Sequence, residues 1–295
     1  MKWKALAWNK SAVGYLFILP SLAVMTIFVI VPLLFSLLSS LFDFDIMLKN
    51  FRFIGLGNYE TVLHDERFWN SLKNTVYFVC GNVPLQIILS ILVAVAINKR
   101  SRLNIVFRTI YFLPVVCSMT IVAMALAMMF DFNIGIVPSL LRELGLPVVD
   151  VFNDPTWAMP TIILISVFKG FGFTMVILLA ALQGVPESLY EAAEIDGAGR
   201  SATFFRITLP SIAPSIAFVV ITSIIGSFQV FDQVYVTTKG GPMYKTETIV
   251  QLIYTKAFVT NEMGPAIASA ILLFLIILVV TLVSLRVGQK SEENL

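Results

Sequence analysis

Six runs of apolar residues, each long enough to cross a bilayer, leave this chain few folds to choose from. They are roughly Val13–Leu41, Thr75–Ile97, Val106–Phe130, Trp157–Leu182, Pro210–Phe231 and Pro265–Leu285. A helix needs about 20 predominantly apolar residues to span the hydrocarbon core. Lipid supplies no water to unpaired backbone groups, and a helix satisfies its own. The alternating pattern of a membrane β-barrel is absent. The runs therefore predict an all-α, polytopic membrane protein with six transmembrane helices. Composition agrees, with 58% hydrophobic and only 13% charged residues, where a soluble domain has about 45–50% and about 25%. No stretch between runs is long enough for a soluble domain. Residues 1–295 thus read as a single transmembrane domain.

The first run is too long for the 7–15-residue core of a signal peptide, and no small-x-small cleavage site follows it. It reads as a membrane span. Cys80 and Cys117 lie inside apolar runs, which offers neither a disulfide framework nor metal spacing; they read as small core residues. Six spans place both termini on one side, and Lys and Arg decide which. That side carries Lys2, Lys4, Lys10, Lys99, Arg100, Arg102, Arg108, Arg200, Arg206, Arg286 and Lys290, while Lys49, for example, lies opposite. The overall margin is modest. The Asn98–Leu103 link settles it, with three basic residues in six positions between two spans. The expectation is that both termini are cytoplasmic. On the other side, Tyr59, Phe68 and Trp69 suit anchors at headgroup level.

Signals for chemistry within the chain are missing. There is no GxxxxGK[ST] phosphate loop, HExxH or CxxC. His64 is the single histidine and reads as an exposed loop residue. The pairs Asp43/Asp45 and Asp65/Glu66 read as solvated loop carboxylates. Nothing in the net charge of +2 points to nucleic acid.

Polar residues inside the spans are costly in lipid and more informative. Lys169 lies near the middle of the fourth span, beside Gly170 and Gly172, which permit close backbone approach. It either pairs with a carbonyl or faces a polar cavity. Ser223, Ser227, Gln229 and Asp232 run along the outer half of the fifth span. Ser223 and Ser227 are four apart and share a helix face. This stripe is either helix–helix glue or a solute path. Asn82, Gln86 and Thr120 read as further glue.

The stretch Pro186–Pro210, PESLYEAAEIDGAGRSATFFRITLP, separates the fourth and fifth runs. Pro186 and Glu187 mark a helix start. Glu187, Glu191 and Glu194 are spaced by four and three, so they lie near one face. Leu189, Ala192, Ala193 and Ile195 supply a compact apolar surface. Gly197 can adopt the positive φ that ends a helix. Pro210 then starts the fifth span as a stiff joint. An acidic surface helix of this kind fits a basic partner.

Glu191-Ala192-Ala193, Asp196-Gly197-Ala198 and then Phe204, Ile207, Leu209 and Pro210, at this spacing, resemble the EAA loop of importer permeases in the ATP-binding-cassette superfamily. FIGLGNYETVLHDERFWNSLKNT and TKGGPMYKTETIVQLIYTKAF look like the carbohydrate-uptake branch, which includes maltose and glycerol-phosphate permeases. The resemblance covers nearly the whole chain. It implies a permease with no enzymatic activity of its own, working by alternating access. Its partners would be a second, non-identical permease subunit, two ATPase subunits that carry ATP and magnesium, and an extracytoplasmic solute-binding protein. The location would be a bacterial-type cytoplasmic membrane. The EAA loop would fold as a coupling helix between spans four and five and dock on an ATPase.

The same resemblance places Ser166, Gly170 and Phe173 in the fourth span, and Ser223, Gly226 and Ser227 in the fifth, at sugar-contacting positions. Phe173 replaces a tyrosine and Gly226 an aromatic residue of the maltose subunit, so a saccharide other than maltose is expected. Lys169, Gln229 and Asp232 complete the expected pathway. A glycerol-phosphate or related anion is the alternative solute, for which more basic pathway residues than Lys169 would be expected. An ion-coupled secondary transporter would need deep intramembrane carboxylates, and no span carries one.

Overall fold

The computed structural model describes residues 10–45, 47, 51–98 and 101–293, with side chains over 14–286 of these. Lys2, Lys4, Lys49, Lys99 and Arg100 lie outside the described residues, as do the side chains of Lys10 and Lys290.

The first run forms α1 (Lys10–Met25), a π-helical turn at Thr26–Ile30 and α2 (Val31–Ser39). A two-stranded antiparallel ribbon follows, β1 (Phe42–Asp43) with β2 (Arg52–Phe53), and then α3 (Gly57–His64). The second span is α4 (Glu66–Ala96), and the third is α5 (Arg102–Val116) with α6 (Met119–Phe130). After α7 (Ile136–Glu143), the fourth span is α8 (Ala158–Gln183). The central hydrophilic stretch gives α9 (Glu187–Ile195), α10 (Arg200–Thr203), a π-helical turn at Phe204–Thr208 and α11 (Leu209–Ser211). The fifth span is α12 (Ala213–Phe228). It leads to α13 (Asp232–Thr237), α14 (Ile249–Tyr254) and the last span, α15 (Met263–Glu293).

Among the described residues four helices are long and apolar enough to cross a membrane, and counting each of two bent pairs as one span brings the number to six. Three spans differ in detail from the apolar runs. Span three is broken, its halves bent by 101°. Cys117 and Ser118 are extended there, and the Ser118 hydroxyl accepts from Ile121 N, capping the new helix. Span five does not begin at Pro210 as a straight continuation. The chain turns by 67° at Ile212 before α12 starts. Pro210 and Pro214 each sit in the first turn of a new helix, where a missing N–H costs nothing. Span two begins nine positions earlier than its apolar run, because Asn70, Ser71, Asn74 and Thr75 carry the helix outward on polar contacts.

Those contacts hold the loop that follows α13. Asn74 donates to the Tyr244 and Glu247 carbonyls, Asn70 to the Tyr244 carbonyl, and Ile249 N donates to Thr75 Oγ1. Arg67 pairs with Glu247, which Ser71 also bonds, and lies 4.4 Å over the Tyr244 ring. Nearby, Lys256 Nζ reaches Asp65 Oδ2 at 2.5 Å. Burial works against ionisation of the Asp65 carboxyl. The Lys256 hydrogen bond and the Arg67 and Phe68 backbone amides outweigh it and hold its pKa below the ordinary value.

The core runs along α4, whose neighbours are α8 and α12. Phe78, Ile162 and Val234 close one end, and Met175, Leu178, Leu182, Ile212 and Val219 close the other. Gly172 lets α8 meet α5 backbone to backbone: a Cβ there would overlap the Tyr111 carbonyl oxygen. Two expectations fail for one reason. Phe68 is buried in the core rather than anchoring at the surface, and Cys80 and Cys117 are exposed rather than in the core. Apolar side chains face both neighbours and lipid in such a protein, so position within an apolar run does not assign the face. Trp69 remains half-exposed, and His64 is exposed, with its Nδ1 2.8 Å from the Glu60 carbonyl.

Candidate functional site

The fourth and fifth spans converge on one open cavity of about 390 Å³. Ser166, Lys169, Gly170 and Phe173 enter it from α8, and Ser223, Gly226 and Ser227 from α12. Along α8 they fall at positions 166, 169, 170 and 173, and along α12 at 223, 226 and 227; these are spacings of one, three and four, so each set occupies one face. Seven of the nine pathway residues expected from the sequence are therefore brought together.

Gln229 and Asp232 are not. Both are exposed and neither lines the cavity. The stripe was read as one continuous helix, but α12 ends at Phe228 and the chain restarts at Asp232 in a new phase. The restart brings Gln233 inward instead. Its Nε2 donates to Ser166 Oγ at 2.9 Å, and Ser166 Oγ donates to the Ile162 carbonyl.

Asn82 and Gln86, read as glue, serve that purpose and also line the cavity. Asn82 Nδ2 donates to Ser227 Oγ at 3.0 Å, and Gln86 Nε2 to Thr174 Oγ1 at 2.8 Å and Ser223 Oγ at 3.4 Å. One turn on, Ser90 Oγ donates to the Phe171 carbonyl at 2.9 Å. These bonds tie α4 to α8 and α12. The i, i+4 spacing of Asn82, Gln86 and Ser90 is the sequence signal for a common polar face. Gln233 carried no comparable signal, because its face depends on where α12 stops.

The cavity wall suits a hydroxyl-rich solute. Asn82 Oδ1 is buried without a hydrogen-bond partner among the described residues. Phe173 is 53% exposed and offers a ring face. A Cβ on Gly226 would meet nothing within 4 Å, so the wall is recessed there. Lys169 both faces the cavity and reaches the Val115 carbonyl at 3.5 Å, at the end of α5.

At the far end of α8 lies the second group of expected residues. Glu187, Glu191, Ala192, Asp196, Gly197 and Ala198 are exposed, while Ala193 is buried at 5%. Gly197 has φ +74°, and Ala198 N donates back to the Ala193 carbonyl at 2.9 Å, which closes the end of α9. Beyond it Ile207, Leu209 and Pro210 are half-buried. The exposed Leu189 and Ile195 stand on the same short helix as the three glutamates, giving α9 an acidic surface with apolar points.

Known proteins resemble the chain over nearly its full length. The lactose transport system permease protein LacF of Rhizobium radiobacter is 35% identical over 287 residues, covering 95% of this chain and 94% of that protein. The trehalose/maltose transport system permease protein MalF of Thermococcus litoralis is 34% identical, covering 98% and 97%. A crystal structure of a bacterial ABC transporter that imports the acidic polysaccharide alginate contains a chain of the same fold. The TM-score is 0.81 at 26% identity, covering 94% of this chain and 95% of that one. Residues 86–292 match the family described as binding-protein-dependent transport system inner membrane component. The chain belongs to that family, and is the multi-pass inner-membrane permease component of an ABC importer rather than an enzyme.

Proposed function

We propose that the cavity between α8 and α12 is the path of a saccharide, and that α9 transmits the motion of a separate ATPase to it. The observation that carries this reading is the convergence of seven residues from two spans on one cavity whose mainly apolar wall carries hydroxyl, amide and ammonium groups. Sugar hydroxyls need donors and acceptors at several angles, and the wall offers hydroxyls, amides and one aromatic face. The names of relatives support a saccharide, since they carry lactose, trehalose or maltose, and alginate.

In this reading the termini and α9 face the cytoplasm. Glu187, Glu191, Ala192, Ala193, Asp196, Gly197 and Ala198 form the docking surface, and Ile207, Leu209 and Pro210 join it to span five. ATP and magnesium sit on two partner ATPase subunits, and a second permease subunit completes the cavity. An extracytoplasmic binding protein delivers the solute from the opposite side.

Two variants test the two halves. In the complete importer reconstituted with ATP, Gly226→Phe fills the cavity and uptake falls at least tenfold, while the assembled complex still hydrolyses ATP. Glu191→Lys leaves the chain inserted but detaches or uncouples the ATPase. Normal uptake in the first variant removes the cavity from the path; normal uptake in the second removes α9 from coupling.

A further inference from the structure

The cavity wall is almost entirely neutral. Its polar atoms belong to amides and hydroxyls, and Lys169 is the one charged residue among those that line it. The described residues form two ion pairs, Arg67–Glu247 and Lys256–Asp65, and neither involves Lys169. Its ammonium has three donors. One of them makes a long bond of 3.5 Å to the Val115 carbonyl, the only hydrogen bond of this side chain among the described residues. That leaves two donors for the cavity, whose wall Lys169 shares with Gly170 and Phe173.

A charge inside a membrane protein is expensive unless an opposite charge or several hydrogen bonds compensate it. A single long bond to the Val115 carbonyl offsets little of that cost. At Gly170 a Cβ would lie 2.8 Å from Gln86 Oε1, so the backbone there is held close to the polar wall. The missing partner is therefore sought in what enters the cavity.

We infer that the solute is an anionic saccharide, whose uronate carboxylate or phosphate ester is seated on Lys169. The inference rests on the reading of this cavity as the solute path. A neutral sugar would leave the cation uncompensated at every step of transit. A carboxylate or phosphate accepts both free donors at once and neutralises the charge, while its hydroxyls take the amide and serine groups opposite. A single lysine is sufficient because the rest of the wall carries no carboxylate to repel the anion.

The test measures equilibrium binding to the complete membrane complex, purified without its binding protein. Three radiolabelled probes are compared: maltose, maltose 6′-phosphate and digalacturonate. A charge-assisted hydrogen bond corresponds to roughly tenfold or more in affinity. The wild-type complex should prefer one of the charged probes to maltose by at least that factor, and which one identifies phosphate or carboxylate. Lys169→Gln should bring the ratio to near one, and Lys169→Arg should retain it. A wild-type complex without charge preference overturns the inference, as does a preference that survives Lys169→Gln. If Lys169→Gln and Lys169→Met both fail to assemble while Lys169→Arg assembles, the lysine pairs with a partner subunit and the inference falls. Gly226→Phe separates the two readings. If it leaves the charged probe bound, the cavity is not the solute site. If it abolishes all binding while Lys169→Gln changes nothing, only the anion is wrong.

Discussion

Arg67 grips Glu247 with two parallel hydrogen bonds, Nε to Oε2 at 2.8 Å and Nη2 to Oε1 at 2.6 Å, across 180 positions of sequence. The pair joins the start of the second span to the loop between the fifth and sixth. Glu247 is buried, with 2% of its side chain accessible, whereas Arg67 is one-third accessible. Removing Arg67 alone leaves a buried carboxylate with Ser71 as its remaining side-chain donor. Arg67→Ala should therefore cost about 3 kcal/mol, seen as a lower Tm in detergent. Arg67→Met with Glu247→Leu, which removes both charges, should recover most of that loss. A double variant no better than the single one would show that the pair contributes through its charge.

Asp65 gives an acid dependence at the same end of the molecule. Its pKa is held below the ordinary carboxylate value by Lys256 and two backbone amides, against the effect of burial. A lowered native pKa stabilises the fold fully above the unfolded value, near 3.9, and this is lost as pH falls through the native value. The Tm difference between wild type and Asp65→Asn should be constant from pH 7 to 5 and shrink below about pH 4. A difference that stays constant down to pH 3 would exclude the linkage.

Gly172 is a steric hinge point between α5 and α8. A Cβ there would overlap the Tyr111 carbonyl, and backbone cannot rotate away as a flexible side chain can. Gly172→Ala should lower stability by about 1–3 kcal/mol and reduce the yield of folded protein. Gly14→Ala, where a Cβ meets nothing within 4 Å, should leave both unchanged.

Gly197 separates backbone conformation from packing. It has φ +74° and open space around the position a Cβ would take. Gly197→Ala should cost about 1 kcal/mol and Gly197→Val more, through conformation alone. The effect should be local: faster hydrogen exchange at the end of α9 and weaker coupling of ATP hydrolysis to uptake, with global Tm nearly unchanged. Equal behaviour of Ala and Val variants with wild type would mean the turn tolerates another closure.

The number and order of the spans were legible because lipid allows so few solutions to a long apolar run. Ser166, Gly170, Phe173, Ser223, Gly226 and Ser227 were legible through their spacing and the resemblance to known permeases. What the pattern hides is where helices break or extend. Polarity concealed the first turns of α4, although Asn70, Ser71 and Asn74 hold them helical through contacts with a loop 170 or more positions away. Gln229 and Asp232 were misplaced, and Gln233 missed, because nothing local announces that α12 stops at Phe228. Phe68, Cys80 and Cys117 show the same limit for sidedness: an apolar residue in a span faces lipid or core according to neighbours that sequence does not rank.

The bend at Ile212 makes the Arg200–Ser211 segment and α12 the short and long arms of a bell crank. Ile212 is 1% exposed and packed with Leu178, Leu182 and Val219, so it is a seated pivot rather than a slack joint. With the arms at 67°, a sideways push on the short arm is delivered to α12 as tilt, not as sliding along its axis. At about 1.5 Å rise per residue, Ser223 stands roughly 16 Å from the pivot, and a tilt of about 10° sweeps it through roughly 3 Å. That stroke matches the length of a hydrogen bond, so a small turn of the crank is enough to part Ser223 from Gln86 and Ser227 from Asn82.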